Sequence, residues 1–128
     1  MKRITAIAMS VAFILTFSAA VTFAQTKPTV AIIKADWCSA CQKVEPIMMG
    51  LMKEYDGKVN FVMLDVTNDD TTAQAAAKAK SLGLTAFFEA NKKTTSTVAV
   101  FTGKKQIYKT AMNYNKSDYV AAFDKALK

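Results

Sequence analysis

The chain has 128 residues, is 52% hydrophobic, and carries 17 basic against 10 acidic side chains for a net charge of +7. That length suits one small domain with a modest core. Histidine is absent, which removes Cys–His catalysis and every histidine-containing metal site. With only two cysteines, four-ligand zinc binding by Cys and His within one chain is excluded by count.

The first 24 residues read as an address. Lys2 and Arg3 give a positive start, the apolar run Ile4 to Val21 follows, and Thr22 and Ala24 supply the small residues of a cleavage site after Ala24. An export signal over 1–24 and a mature domain over 25–128 are therefore expected, with an uncleaved amino-terminal anchor as the alternative. Losing Lys2 and Arg3 lowers the net charge to +5. The destination implied is the periplasm or another extracytoplasmic space, where disulfides persist. The lysines at 78, 92, 93, 104, 105 and 128 are scattered without interleaved aromatics, so they read as solvated surface and not as a nucleic-acid site.

The run TVAIIKA at 29–35 is expected to form a buried strand, β-branched from Val30 to Ile33, with Lys34 at its end. From Ser39 to Tyr55 the period changes. Cys41, Val44, Met48, Leu51, Met52 and Tyr55 share one face of a helix, and Pro46 inside it should bend it. After the turn YDGK, the run VNFVMLDV at 59–66 is a second strand, apolar enough to suggest a central place covered on both faces. An alanine-rich helix follows from about Thr71 to Leu82, capped by Asp69 or Asp70 and stopped at Gly83.

Residues 84–96 are ambiguous. Phe87 and Phe88 are read as core under the sheet, with a lid beside the cysteines as the alternative. TVAVFT at 97–102 and KQIYKTAM at 105–112 form a hairpin around Gly103–Lys104. A last helix from Lys116 to Leu127 presents Tyr119, Val120, Phe123 and Leu127 as one stripe. The order is β-α-β-α-β-β-α: an α/β fold with a mixed sheet of about four strands and helices on both faces.

The only cysteines, Cys38 and Cys41, lie where the first strand hands over to the first helix. A bridge across three positions closes almost no loop and restricts the unfolded chain little, so a structural staple is a weak reading. Cys38 at the helix start faces backbone N–H groups that lack intrahelical partners, and these favour a thiolate. Cys41, one turn inward, faces the sheet. An exposed, activated sulfur beside a shielded one is the arrangement thiol–disulfide exchange requires. Trp37 is expected as an apolar wall for docking, with a core tryptophan as the bland alternative. Asp36 opposes a thiolate and Lys34 favours it.

Strand, tryptophan, CxxC, helix and internal proline together make residues 28–127 similar to the thioredoxin family. WCSAC resembles its W-C-x-x-C site, and Pro46 its helix-kinking proline. The resemblance implies a nucleophilic Cys38, a resolving Cys41, no cofactor beyond that pair, and exchange with protein thiols and disulfides. It also implies a redox partner, such as a membrane electron donor, and a monomer.

Several departures accompany the resemblance. The family's amino-terminal strand and helix are missing. Ser39–Ala40 replaces the common dipeptides between the cysteines, and the family's buried aspartate falls at Ile32. Its cis-proline falls at Ser96, followed by Thr97, so a trans bond is expected there, and these two residues take the substrate-binding position. About eight extra residues precede Ser96. The rival readings are a metal clamp (iron–sulfur or zinc shared between two chains, or copper(I) in one) and a non-catalytic binding module.

Overall fold

The computed structural model describes residues 26–128. The expected signal at 1–24 lies outside the described residues. The elements run β1 (Thr29–Lys34), α1 (Ser39–Glu54), β2 (Asn60–Asp65), α2 (Asp69–Ser81), α3 (Thr85–Asn91), β3 (Thr97–Thr102), β4 (Lys105–Ala111) and α4 (Lys116–Ala126). One helix exceeds the expected order. Residues 84–91 had no clean period, yet Leu84, Phe87 and Phe88 recur at helical spacing and all three are buried. Phe87 meets Phe101 of β3 edge-on, at 5.3 Å between ring centroids. The pair is therefore core and not a lid.

The four strands form one mixed sheet in the order β2-β1-β3-β4. β1 pairs in parallel with β2, from Thr29 opposite Asn60 to Lys34 opposite Asp65. On its other side β1 runs antiparallel to β3, with Ile33 opposite Thr97. β3 and β4 make the expected hairpin, and Gly103 takes the left-handed conformation (φ 59°) that its turn requires. The expectation that β2 is central fails. It is an edge strand, and its unbroken apolar run arises because helices cover both faces even at the margin. Val62 and Leu64 are buried under α2 and α3, while Phe61 and Met63 are half-buried on the α1 and α4 side.

Each face has its own core. Val30, Ile32, Val98 and Val100 meet Val44, Met48 and Leu51 of α1 together with Tyr119 and Phe123 of α4. Ala31, Ile33, Val62, Leu64, Ala99 and Phe101 meet Ala75 and Ala79 of α2 and Phe88 of α3. The alternation that separates these sets follows from the two-residue period of a strand. Burying one such aliphatic or aromatic side chain contributes about 1.5–3 kcal/mol. The stripes hold with three changes: Met52 and Val120 are only half-buried, and Leu127 is 40% exposed, while α4 also buries Ala122.

Local signals account for the helix ends. Asn68, and not either aspartate, caps α2: its side chain accepts from Thr71 N–H while Thr71 returns a bond to the Asn68 backbone. Asp69 and Asp70 sit in the first turn, where their charge suits the helix dipole. Leu82 and Gly83 (φ 72°) close the helix. α1 continues past Pro46 to Glu54. Among the described residues no helix is long and apolar enough to cross a membrane.

Two tyrosines hold α4 down and set a pH limit. The Tyr55 hydroxyl donates to Asp124 at 2.7 Å, and the Tyr119 hydroxyl to the Asn113 carbonyl at 2.6 Å. Burial first, then the bond and charge of Asp124, pushes Tyr55 up to about 12. Burial, helped by Tyr108 and Asp118, does the same for Tyr119. An acid raised in the folded state keeps its proton there while the unfolded chain has already lost it, from 10.0 upward. The stabilisation is therefore full below pH 10.0 and is lost progressively towards 12. Urea unfolding of the oxidised chain should show a falling midpoint across that window, less steep in Tyr55→Phe. A flat midpoint would contradict these environments.

Candidate active site

The parallel β1–β2 pairing and the antiparallel β1–β3–β4 pairing bring one end of every strand to the same margin of the sheet. There β1 ends at Lys34 and β2 at Asp65, β3 begins at Thr97, and β4 ends at Ala111. The loop from Ala35 to Cys38 crosses this margin and enters α1. Cys38 is the N-cap of α1, in extended conformation, and its N–H donates to the Ala35 carbonyl at 3.1 Å. Cys38 Sγ accepts the Cys41 N–H at 3.1 Å, so a sulfur stands where a cap oxygen usually does.

Cys38 and Cys41 are joined as a disulfide, with 5.2 Å between their Cα atoms. The expected contrast of an exposed and a shielded cysteine is absent in this oxidised form. The two residues are 6% and 7% exposed, since each sulfur covers the other. What distinguishes them is position. Cys38 sits at the helix mouth with a donor already on its sulfur, whereas Cys41 is inside the first turn and lines a cavity with Ile33, Ala35 and Val44.

Trp37 is 65% exposed and so lies on the surface and not in the core. It is held at its edge, where Nε1 donates to the Thr67 carbonyl at 3.0 Å. Thr67 escaped the sequence reading although it organises the loop. Its Oγ1 accepts the Asp36 N–H at 3.0 Å and donates to Asp65 Oδ1 at 2.5 Å, and its N–H also reaches Asp65 at 2.8 Å. Burial pushes the Asp65 carboxyl up, but the Thr67 bonds and the Lys34 charge more than offset it, leaving Asp65 below the usual carboxylate range. The spacing Asp65-x-Thr67 after a strand was the available signal.

Lys34 and Asp36, expected to act in opposite senses on Cys38, face each other instead, at 3.5 Å between Nζ and Oδ1. With Asp36 well exposed, this pair contributes little to stability and screens its own field at the sulfur. Gln42 Nε2 donates to the Asp36 carbonyl at 3.3 Å and ties the loop to α1.

Ser96 and Thr97 do not present themselves to a substrate as expected. Both are 1% exposed. Thr97 Oγ1 donates to the Thr94 carbonyl at 2.6 Å, and its backbone lies in a strand paired on both sides. Ser96 N–H donates to the Ile33 carbonyl at 2.8 Å, and its carbonyl accepts the Met112 N–H at 3.2 Å. In that turn the half-buried residue is Thr95. No described peptide bond is cis, in keeping with the trans bond expected before Ser96.

Ser96 has φ 66° and Met112 φ 52°, both left-handed and neighbours through that hydrogen bond. The conformation costs a non-glycine residue roughly 1–2 kcal/mol. Met112, 60% exposed, and Tyr114, 48% exposed and 5.5 Å beneath Lys43 Nζ, are exposed large side chains that the sequence did not single out. The sequence placed Met112 at the end of the hairpin strand, which closes one residue earlier, at Ala111.

Among the described residues no three His, Cys, Asp or Glu side chains converge as a metal site. The group able to carry electrons is the chain's own disulfide.

A mixed sheet between helices, with a CxxC disulfide capping a helix at the sheet margin, defines a redox-type α/β domain. The thioredoxin family model matches residues 12–113, and the chain belongs to that family. It is 46% identical over 43 residues to a thiol:disulfide interchange protein TxlA homolog from Synechocystis sp., covering 34% of this chain and 24% of that protein. Thioredoxin C-2 from Corynebacterium nephridii is 40% identical over 57 residues, covering 44% and 52%. The chain thus matches about a quarter and about half of these relatives' lengths. The crystal structure of Fasciola hepatica thioredoxin superposes with a TM-score of 0.56 over 78% of this chain and 81% of that one, at 21% identity, which shows the shared fold.

Proposed function

We propose that the chain is an exported thiol–disulfide oxidoreductase acting on protein disulfides. The observation that carries this is the Cys38–Cys41 disulfide capping α1 beside the exposed Trp37. On reduction, the free N–H groups of the first helical turn stabilise a thiolate at Cys38. Cys38 attacks a substrate sulfur and Cys41 then displaces the substrate, closing the disulfide again. The exposed faces of Trp37, Met112 and Tyr114 suit a partly unfolded polypeptide.

Finer points belong to this reading. The positive start and apolar run ahead of residue 25 support export to an extracytoplasmic space. Reduction of envelope proteins, fed by a membrane electron donor, is favoured over disulfide introduction. The protein acts as a monomer without nucleic-acid partners. Equilibration of the Cys38–Cys41 couple with glutathione buffers tests the direction. A potential near about −270 mV is the expected result, and one near about −120 mV would make the protein a disulfide donor instead. Failure to cycle between dithiol and disulfide would remove the oxidoreductase reading altogether.

A further inference from the structure

A cavity of about 230 Å³ opens beside the disulfide, with Cys41, Ile32, Val44, Met48 and Met63 in its walls and Ser96 lining it from the turn before β3. Its walls are mainly apolar. The charged groups around it are Lys34 of β1, Asp36 of the loop and Glu45 of α1. β2 contributes only Met63, and the turn before β3 only Ser96. Among the described residues, Ser96 Oγ is the one buried side-chain polar atom with no hydrogen-bond partner. That hydroxyl is carried on a backbone at φ 66°, where glycine would sit without strain, and it is pinned there by Ile33 and Met112. An unsatisfied buried hydroxyl on a strained residue, sharing a cavity with a reactive sulfur, calls for a functional account.

We propose that Ser96 is the positioning residue for proton transfer at Cys41: its hydroxyl anchors cavity water that takes the Cys41 proton and stabilises the thiolate. The space far exceeds the ~10–15 Å³ one water needs, and it opens past the exposed Gln42 and Glu45, giving the proton a way out. The step is part of the exchange proposed above. With Cys38 bonded to a substrate sulfur, Cys41 gives its proton to the water held at Ser96. The Cys41 thiolate then attacks Cys38 Sγ. The Cys38–Cys41 bond forms, the Cys38–substrate bond breaks, and the substrate sulfur leaves as a thiolate that takes a proton from solvent. The chain's two thiols are oxidised by two electrons, and the substrate disulfide is reduced to two thiols.

The role in catalysis rests on the exchange reading, but its test needs no substrate. In the full chain with Cys38→Ser, Cys41 is the single thiol, and its ionisation can be followed by thiolate ultraviolet absorbance. Ser96→Gly fits the left-handed backbone and removes only the hydroxymethyl group, and Ser96→Ala removes the hydroxyl while keeping Cβ. Both should move the Cys41 titration upward by about one pH unit, as the loss of a hydrogen bond to a charged group implies. With both cysteines present, displacement of a bound substrate thiol at neutral pH should slow about tenfold, with attack by Cys38 unchanged. An unshifted Cys41 titration in Ser96→Gly overturns the proposal and leaves the exchange reading standing. A shift in Ser96→Ala alone also overturns it, because the effect would then come from the backbone.

Discussion

Cys38→Ala is expected to abolish disulfide exchange, while Cys41→Ala should leave the first attack intact and strand the adduct. The difference follows from where α1 places each sulfur. Once reduced, Cys38 lies at the helix mouth, where unpaired N–H groups and the helix dipole stabilise negative charge. Cys41 lies inside the first turn of α1 and reaches a mixed disulfide from within. Incubation with a disulfide-bonded peptide, quenched and weighed by mass spectrometry, reads both outcomes. Cys41→Ala should accumulate a covalent adduct, and Cys38→Ala should show none and no turnover above the reagent background. Equal adduct formation by the two variants would sink the assignment of roles.

Phe123→Ala should be the most damaging single truncation in the core, costing about 3–5 kcal/mol. Phe123 is fully buried and meets two rings edge-on, Tyr55 at 5.2 Å and Phe61 at 5.7 Å between centroids. It joins α4 to the end of α1 and to the edge strand β2, so its loss leaves a cavity where three elements meet. A domain of this size holds about 5–15 kcal/mol in all, so the variant should approach the limit of folding. Leu127→Ala, on the same expected stripe but 40% exposed, should stay within about 0.5 kcal/mol of the parent. Urea midpoints of the two variants, measured in the oxidised state, check the contrast. Similar losses from both would mean that α4 is not seated as described.

That pair of residues also shows how far the sequence could be read. The periodicity of α4 placed Phe123 and Leu127 on one face, but the helix ends at Ala126 with Leu127 as its cap, and no local pattern encodes where the last turn loses its neighbour. β1, α1 and the hairpin were legible because their patterns are long and bounded by turn residues. β2 was identified as a strand yet placed wrongly, because an apolar run reports two covered faces and says nothing about hydrogen-bonded neighbours. α3 was missed as a helix because it is only one segment of seven residues, with a period too short to stand out.

At the candidate site, the cysteines and Trp37 were legible from their spacing. The grip of Thr67 on the loop, the pairing of Lys34 with Asp36, and the burial of Ser96 and Thr97 were not. The first and the last depend on segments about 30 or more residues apart meeting at one sheet margin. The short-range pair, Lys34 and Asp36, depends on which way a single loop residue turns.

The central place of β3 governs the order of assembly. β1 and α1 are made early in the chain, but the strand that flanks β1 opposite β2 is β3, and Ile33 finds Thr97 only across a long loop. Closing such a loop costs entropy before any contact repays it, so the pairing comes late in folding. Until it forms, Ser96 has no Ile33 carbonyl to hold and the wall beside Cys41 is missing. The nascent chain can therefore carry an activated Cys38 at the start of α1 while Cys41 still has ordinary surroundings, which the last strands to arrive complete.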